Sequence, residues 1–72
     1  MNTLDMLSIG EVAVVRNLEK DSSVRRRLLD MGITPGVNIE IVGKAPMGDP
    51  IEIMLRGYKL TLRKAEAKAI LI

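Results

Sequence analysis

The chain has no cysteine, histidine, tryptophan or phenylalanine, and Tyr58 is its one aromatic residue. Without cysteine, no disulfide stabilises the fold and a zinc–thiolate site is excluded. The joint absence of cysteine and histidine removes most nucleophilic, general-base and soft-metal chemistry. A single aromatic side chain leaves no platform on which the bases of a single-stranded nucleic acid can stack. These absences argue against an enzyme, a tight metal site and a single-strand-binding protein.

Long apolar runs are also missing. No segment approaches the length that spans a bilayer, and the N-terminus lacks the basic-then-apolar pattern of a signal peptide, so we expect a cytoplasmic protein. A chain of 72 residues forms one domain, 1–72, whose core must consist of Ile, Leu, Val and Met. The net charge of +2 is too small to require a polyanionic partner.

Five segments alternate between apolar and polar residues or are rich in β-branched residues, which predicts five short strands. They are residues 11–16, 37–41, 51–55, 58–62 and 69–72. The first carries apolar residues on both faces, so we expect it to be covered on both sides. Residues 17–21 are polar and predict a connection, and residues 64–68 predict a helical turn. Arg56-Gly57 predicts a tight hairpin, and Gly43 predicts a bulge.

One helix interrupts the strands. An apolar stripe at helical spacing, from Val24 to Met31, predicts an amphipathic helix whose first turn is capped by a side chain among residues 21–23. Gly32 favours a left-handed helix end, and Pro35-Gly36 suits the centre of a type II turn. We therefore interpret Gly32, Pro35 and Gly36 as structural residues that set the angle between the helix and the next strand.

The order of these elements predicts a mainly β fold. We expect a small SH3-like antiparallel barrel of about five strands with one inserted short helix. Pairing of the C-terminal strand with the first strand would close it, because a small β protein must limit its exposed edges. An OB-like barrel is the alternative, but its strands are usually longer.

The loop that connects the second and third strands is the best candidate contact surface. Its candidate partner-binding residues are Lys44, Pro46, Met47, Gly48 and Asp49. Met47 at the loop tip presents a flexible apolar side chain of the kind that adaptable interfaces use. Alternatively, Met47 folds over the barrel mouth as a plug. Asp49 and Pro50 also have a structural interpretation, in which the carboxylate accepts a turn hydrogen bond.

Arg25-Arg26-Arg27 is the one charge cluster. Successive helical residues lie roughly 100° apart, so the three arginines cannot share one face. Arg25 and Arg26 are candidates for docking an acidic partner surface, with Arg27 packed or paired. The competing interpretation is a solvated helix perimeter in which Arg26 forms an ion pair with Asp30.

Met54 is a further candidate contact residue, because it points away from its buried strand neighbours. It either forms a small apolar patch near Val42 or Val15, or lies beneath the helix. Glu40 and Glu52 also face outward, where they can pair with Lys59 or Arg63. Carboxylates scattered in this way predict no metal site, and we expect no cofactor.

Several short motifs follow one another along nearly the whole chain. They are Leu4, Leu7 and Gly10, then residues 27–36, 48–51 and 60–67, and finally Ile70. This ordered set resembles the FeoA family of bacterial ferrous iron uptake. The resemblance implies an SH3-like barrel with an inserted helix. It also implies partnership with FeoB, the membrane ferrous iron transporter that carries a cytoplasmic GTPase domain.

The resemblance favours a non-catalytic accessory module that binds and modulates FeoB. Family members are often associated with transition-metal binding, for which this chain offers only carboxylates. The same domain type occurs in metal-responsive transcriptional repressors, which is one alternative. Nucleic-acid binding is another, but basic and acidic residues alternate along the strands, so no nucleic-acid partner is expected. A sharper variant of the leading hypothesis supplies Arg25, Arg26 or Arg56 to the GTPase site of the partner.

Overall fold

The computed structural model describes residues 2–20 and 23–72. Within these residues the chain forms six strands, two α-helices and a 3-10 helix at Leu4–Met6. The strands are β1 (Val12–Val14), β2 (Asn17–Leu18), β3 (Asn38–Lys44), β4 (Ile51–Leu55), β5 (Tyr58–Leu62) and β6 (Ile70–Leu71). The helices are α1 (Ser23–Asp30) and α2 (Lys64–Ala67). The prediction of a mainly β chain with a short inserted helix is confirmed.

The strands form two antiparallel sheets. One contains β1, β3, β4 and β5 in that spatial order, and the other pairs β2 with β6. Because β1 and β2 follow each other along the chain, the run from Val12 to Leu18 joins the two sheets. Arg56 and Gly57 connect β4 to β5 with φ angles of 49° and 83°, which confirms the tight hairpin. The β3–β4 register shifts at Gly43, which confirms the bulge.

The C-terminal end of α1 has the predicted left-handed geometry. Gly32 has a φ of 90°. Its N–H donates to the Leu29 carbonyl, and the Ile33 N–H donates to the Leu28 carbonyl, each over 3.0 Å. These two bonds define a Schellman motif, in which a glycine ends the helix and the next apolar residue returns to the core. Leu28 and Ile33 are both fully buried.

A type II turn then leads into β3. The Val37 N–H donates to the Thr34 carbonyl over 3.2 Å, and the central residues are Pro35 and Gly36, with a φ of 94° at Gly36. The Gly36 N–H also donates to the Val15 carbonyl over 2.8 Å, and the Val15 N–H donates to the Val37 carbonyl over 2.9 Å. This pattern is a glycine bulge, which makes the turn and the pairing of β1 with β3 one unit.

The other end of the β1–β3 pair repeats this device. Gly10 also has a φ of 94°. Its N–H donates to the Ile41 carbonyl over 2.8 Å, and the Ile41 N–H donates to the Glu11 carbonyl over 3.0 Å. The Glu11 N–H donates to the Ser8 carbonyl over 3.0 Å, which closes a turn before β1. Two equivalent glycine bulges therefore bracket this strand pair and fix its register.

Aliphatic side chains from every strand except β1, together with both helices and the 3-10 helix, form the core. Its buried members are Leu4, Val15, Leu18, Leu28, Ile33, Val37, Ile39, Ile41, Ile51, Ile53, Leu55, Leu62, Ala67, Ala69 and Ile70. Alternate residues of β3 and β4 point inward, as the sequence pattern predicts. The core places the loop between β3 and β4 and the polar face of α1 at the surface.

Predictions for the first third of the chain need correction. Residues 11–16 are not covered on both sides, because β1 is an edge strand that leaves Val12 and Val14 61% and 50% exposed. Part of the expected connection at 17–21 is a strand, β2, and the C-terminal strand pairs with it rather than with β1. The candidate helix caps Asp21 and Ser22 lie outside the described residues.

Replacement of Gly32 by valine is expected to lower the free energy of unfolding by about 2 kcal/mol, because a β-branched residue is strained at positive φ. The new Cβ would also lie 3.0 Å from the Tyr58 hydroxyl. In a domain of this size the loss corresponds to a fall in Tm of roughly 10 °C, measured by circular dichroism. Gly32→Asn is the matched control, because asparagine tolerates the left-handed region and should cost less. An unchanged Tm for the valine variant would contradict this account.

Candidate partner-binding surfaces

The loop between β3 and β4 projects Met47 into solvent. The Gly48 N–H donates to the Ala45 carbonyl over 2.7 Å, so residues 45–48 form a turn with Pro46 and Met47 at its centre. Ala45 also donates to the Pro50 carbonyl over 3.1 Å, which closes the base of the loop. Met47 is 89% exposed, so it does not plug the barrel. The contact-surface interpretation of this residue stays a prediction.

Asp49 is held by the start of α2. Its Oδ1 accepts a hydrogen bond from the Lys64 N–H over 3.0 Å, and its Oδ2 accepts one from the Arg63 guanidinium over 3.2 Å. The expectation of a hydrogen bond within its own turn is therefore wrong, because the carboxylate instead binds an N–H group that the helix leaves free at its start. Asp49 ties the loop to the barrel, and its carboxylate is already engaged. The Asp49–Pro50 peptide bond is cis.

Two further exposed apolar residues lie at the same end of the barrel. Ile9 is 60% exposed and lines a shallow groove of about 370 Å³ with Ala45 and Pro50. Met6, which is 64% exposed, belongs to the 3-10 helix beside the loop. We name Met6, Ile9 and Met47, together with this groove, the apolar rim.

Lys44 holds the two halves of the apolar rim together. Its Nζ donates to the Asp5 carbonyl over 3.2 Å, which joins the end of β3 to the 3-10 helix. Lys44 is therefore a structural contact of the rim rather than a free cation on its surface. Sequence reasoning did not identify Met6 and Ile9. Single apolar residues beside a turn carry no periodic signal, so only the packing of the two loops reveals them.

The polar face of α1 forms a second candidate surface. Arg25 and Arg26 border a groove of about 300 Å³ with Lys20 and Leu29. Arg26 lies 3.6 Å from the Asp30 carboxylate, as predicted, and both side chains are largely exposed, so this pair contributes little stability. In the described part of the chain Arg25 has no carboxylate within 4.0 Å. We name Lys20, Arg25 and Arg26 the arginine face.

Arg27 has a different role from its two neighbours. Its Nε lies 3.0 Å from Glu66 Oε2, and the Glu66 side chain is only 8% exposed. The other carboxylate oxygen of Glu66 accepts the Arg63 N–H over 2.8 Å at the start of α2. One buried carboxylate therefore caps α2 and holds α1 against it, and the prediction that Arg27 is paired is confirmed.

Met54 has charged cross-strand neighbours, and one of the two valines expected beside it lies elsewhere. It lies half-buried on the outer face of β4, where its cross-strand neighbours are the charged residues Glu40 and Lys59. Val15, one of its expected neighbours, is in the core. Lys59 lies 3.8 Å from the Glu52 carboxylate, as predicted for a cross-strand ion pair. The direct cross-strand neighbours of Met54 are thus both charged, which weakens it as a contact residue.

Arg56, the third candidate for a partner's GTPase site, lies far along the chain from the arginine face. It is exposed at the tip of the β4–β5 hairpin and borders a groove of about 420 Å³ with Pro35 and Asn38. Four other basic residues have a carboxylate within 4.0 Å, namely Arg26, Arg27, Lys59 and Arg63. The described surface therefore carries mixed charge.

No three acidic side chains gather within residues 2–20 and 23–72 in an arrangement that could hold a metal ion. The chain has neither histidine nor cysteine, so the described residues do not fit a resident transition metal.

None of the helices described is long and apolar enough to cross a membrane.

Comparison with known proteins identifies relatives over nearly the full chain. The family model for the FeoA domain matches residues 2–72. A FeoA-like protein from Clostridium acetobutylicum is 52% identical and superposes with a TM-score of 0.91, over 96% of this chain and 80% of that one.

FeoA from Stenotrophomonas maltophilia is 28% identical, with a TM-score of 0.86 over 99% of this chain and 88% of that one. That protein is described as an SH3 domain protein complexed with zinc, and an activating role in bacterial ferrous iron transport has been suggested for it. The SH3-like fold predicted from the sequence is therefore confirmed.

A longer relative joins the domain to a transporter. The Fe(2+) transport protein A/Fe(2+) transporter FeoB fusion protein of Porphyromonas gingivalis is 34% identical over 67 residues. The matched segment is 93% of this chain but 8% of the fusion protein, so the chain spans less than a tenth of that relative.

Removal of the buried carboxylate is expected to destabilise the fold far more than removal of an exposed ion pair. Glu66→Ala should lower the free energy of unfolding by about 2 kcal/mol, because it removes the cap of α2 and leaves the Arg63 N–H without its acceptor. Glu66→Gln, which keeps an acceptor for the cap, should cost less. Arg26→Ala, which breaks an exposed pair, should cost less than about 0.5 kcal/mol. Urea unfolding measures all three, and equal losses for Glu66→Ala and Arg26→Ala would contradict the assigned roles.

Proposed function

Because this chain belongs to the FeoA family, we propose that it is a small accessory protein of bacterial ferrous iron transport. It acts in the cytoplasm, has no catalytic activity of its own, and binds and modulates a FeoB-type membrane transporter. The observation that carries this proposal is the Porphyromonas gingivalis relative, in which the matching segment and FeoB are parts of one chain. Fusion keeps two domains at a high effective concentration, which favours their contact.

The apolar rim is the proposed main contact with the transporter. Its three side chains are between 60% and 89% exposed, and one of them, Ile9, lines the groove together with Ala45 and Pro50. Burial of such side chains against a partner removes apolar surface from water. Unbranched methionine side chains adapt their shape to a partner at low cost. The groove would therefore accept an apolar side chain from a cytoplasmic part of FeoB.

The arginine face is the proposed second contact. Lys20 and Arg25 have no carboxylate partner among the described residues, so their charges are available to an acidic surface. Such charges mainly raise the association rate and orient the encounter. They add less to the lifetime of the complex than a buried apolar contact does. The two surfaces thus have different proposed roles, and these roles can be measured separately.

Met47→Asp and Ile9→Asp are each expected to weaken binding to the cytoplasmic GTPase domain of FeoB by at least about tenfold, because each places a charge in an apolar contact. Titration calorimetry with the purified domain measures the affinity. Asn38→Asp is the matched control: it adds the same charge at the opposite end of β3 and should bind like the native protein.

The transporter proposal also has an outcome that would overturn it. It fails if the native protein binds neither the GTPase domain nor full-length FeoB and if deletion of its gene leaves ferrous iron uptake unchanged. Normal binding by both aspartate variants would instead reject the apolar rim while leaving the partnership intact.

The double variant Arg25→Ala/Arg26→Ala is expected to lower the association rate with FeoB several-fold and to reduce its dependence on salt. The dissociation rate should change little. Stopped-flow binding at two salt concentrations separates these effects. A loss of about a thousandfold in stimulated GTP hydrolysis would instead identify an arginine finger. Arg56→Ala tests the remaining candidate in the same assay, because Arg56 is exposed on another element.

A further inference from the structure

The outer edge of β1 has unused backbone hydrogen-bonding groups. In an antiparallel ladder, alternate residues bond to the neighbouring strand. Glu11 and Val15 bond to β3, so Ala13 does as well, and the backbone groups of Val12 and Val14 face away from it. In the described part of the chain neither valine makes a backbone hydrogen bond outside its own strand pair.

The outer edge of β1 lacks the residues that usually prevent a free strand edge from pairing with another strand. Proteins usually protect a free sheet edge with a lysine, a proline or an inward-facing charge. The other free edge of this sheet, β5, follows that rule. The register of the β4–β5 hairpin directs the backbone groups of Lys59 and Thr61 away from β4, so a lysine lies on that edge. At the corresponding positions β1 carries only Val12 and Val14, which are 61% and 50% exposed.

The length and the symmetry of this edge indicate which strand could pair with it. The glycine bulges at Gly10 and Gly36 limit it to three residues, and Arg16 on its far side already donates to the Leu71 carbonyl over 2.8 Å. A second β1 laid antiparallel, with Val12 opposite Val14 of the second copy, satisfies all the outward groups of both strands. A one-residue slip leaves some of them unpaired. The edge is therefore complementary to itself about Ala13.

The apolar side chains of this edge also fit the antiparallel register. The valines of the two copies become direct cross-strand neighbours, a favourable pairing of β-branched residues.

We propose that the β1 edge pairs with the β1 edge of a second copy of this chain, which extends the four-stranded sheet across a two-fold axis. Such a dimer has an isologous, closed interface. Its contact is small, so association is weak and reversible. This proposal does not depend on the transporter, because β1 belongs to neither the apolar rim nor the arginine face.

The test is amide hydrogen exchange of the full chain by NMR, together with sedimentation equilibrium, from about 10 µM to about 1 mM, a range that covers weak association. The mass should rise from 7.9 kDa towards twice that value. Exchange of the Val12 and Val14 amides should slow at least about fivefold across the range. The Ala13 amide, which bonds to β3, is the internal control and should not change.

Val14→Lys should weaken the dimer at least about tenfold, because it places a protecting charge on the edge. Ala65→Lys, which adds the same charge at an exposed position of α2, should leave the dimer unchanged. A monomer at every concentration overturns the proposal, as does a dimer whose Val12 and Val14 amides exchange independently of concentration. Protection that appears only with added FeoB domain also overturns it, because an extended segment of that partner would then occupy the edge.

Discussion

The register of β3 between β1 and β4 is the constraint on which the rest of the structure depends. Ile39 and Ile41 point into the core and Glu40 points to solvent, so a slip by one residue would bury the carboxylate and expose the isoleucines. The chain fixes this register with backbone geometry, using the bulges at Gly10 and Gly36. No phenylalanine or tryptophan is present to hold the interior by shape, so local turn chemistry carries much of the specificity.

The sequence predicts those parts of the fold that local physics determines. The joint at Gly32 and the Pro35-Gly36 turn follow from backbone preferences, and β3 to β5 follow from clear alternation. The pairing of β2 cannot be predicted in this way, because a two-residue strand has no period and Leu18 is its one apolar residue. The sequence also does not reveal that β1 is an edge strand. Alternation shows that both of its faces are apolar but does not show what covers them.

In the candidate surfaces, too, the sequence predicts local features but not contacts between distant parts of the chain. The exposure of Met47 follows from the proline and glycine beside it. The role of Asp49 does not, because its hydrogen-bond partners lie about fifteen residues further along the chain. The apolar rim combines a loop from the middle of the chain with a turn near its start, and only the folded structure brings them together. Ion pairs were predicted best where the partner is four residues away on the helix, as for Arg26, or diagonally across a strand pair, as for Lys59.

The contacts of Asp49 and Glu66 have a mechanical consequence. Asp49 holds the loop to Arg63 and Lys64, Glu66 holds the same helical turn, and Arg27 connects that turn to α1. A continuous line of polar contacts therefore runs from the base of the methionine loop to the helix that carries the arginines. These contacts fix the distance between the apolar rim and the arginine face. A partner that touches both must match that distance, so recognition can depend on geometry as well as on composition.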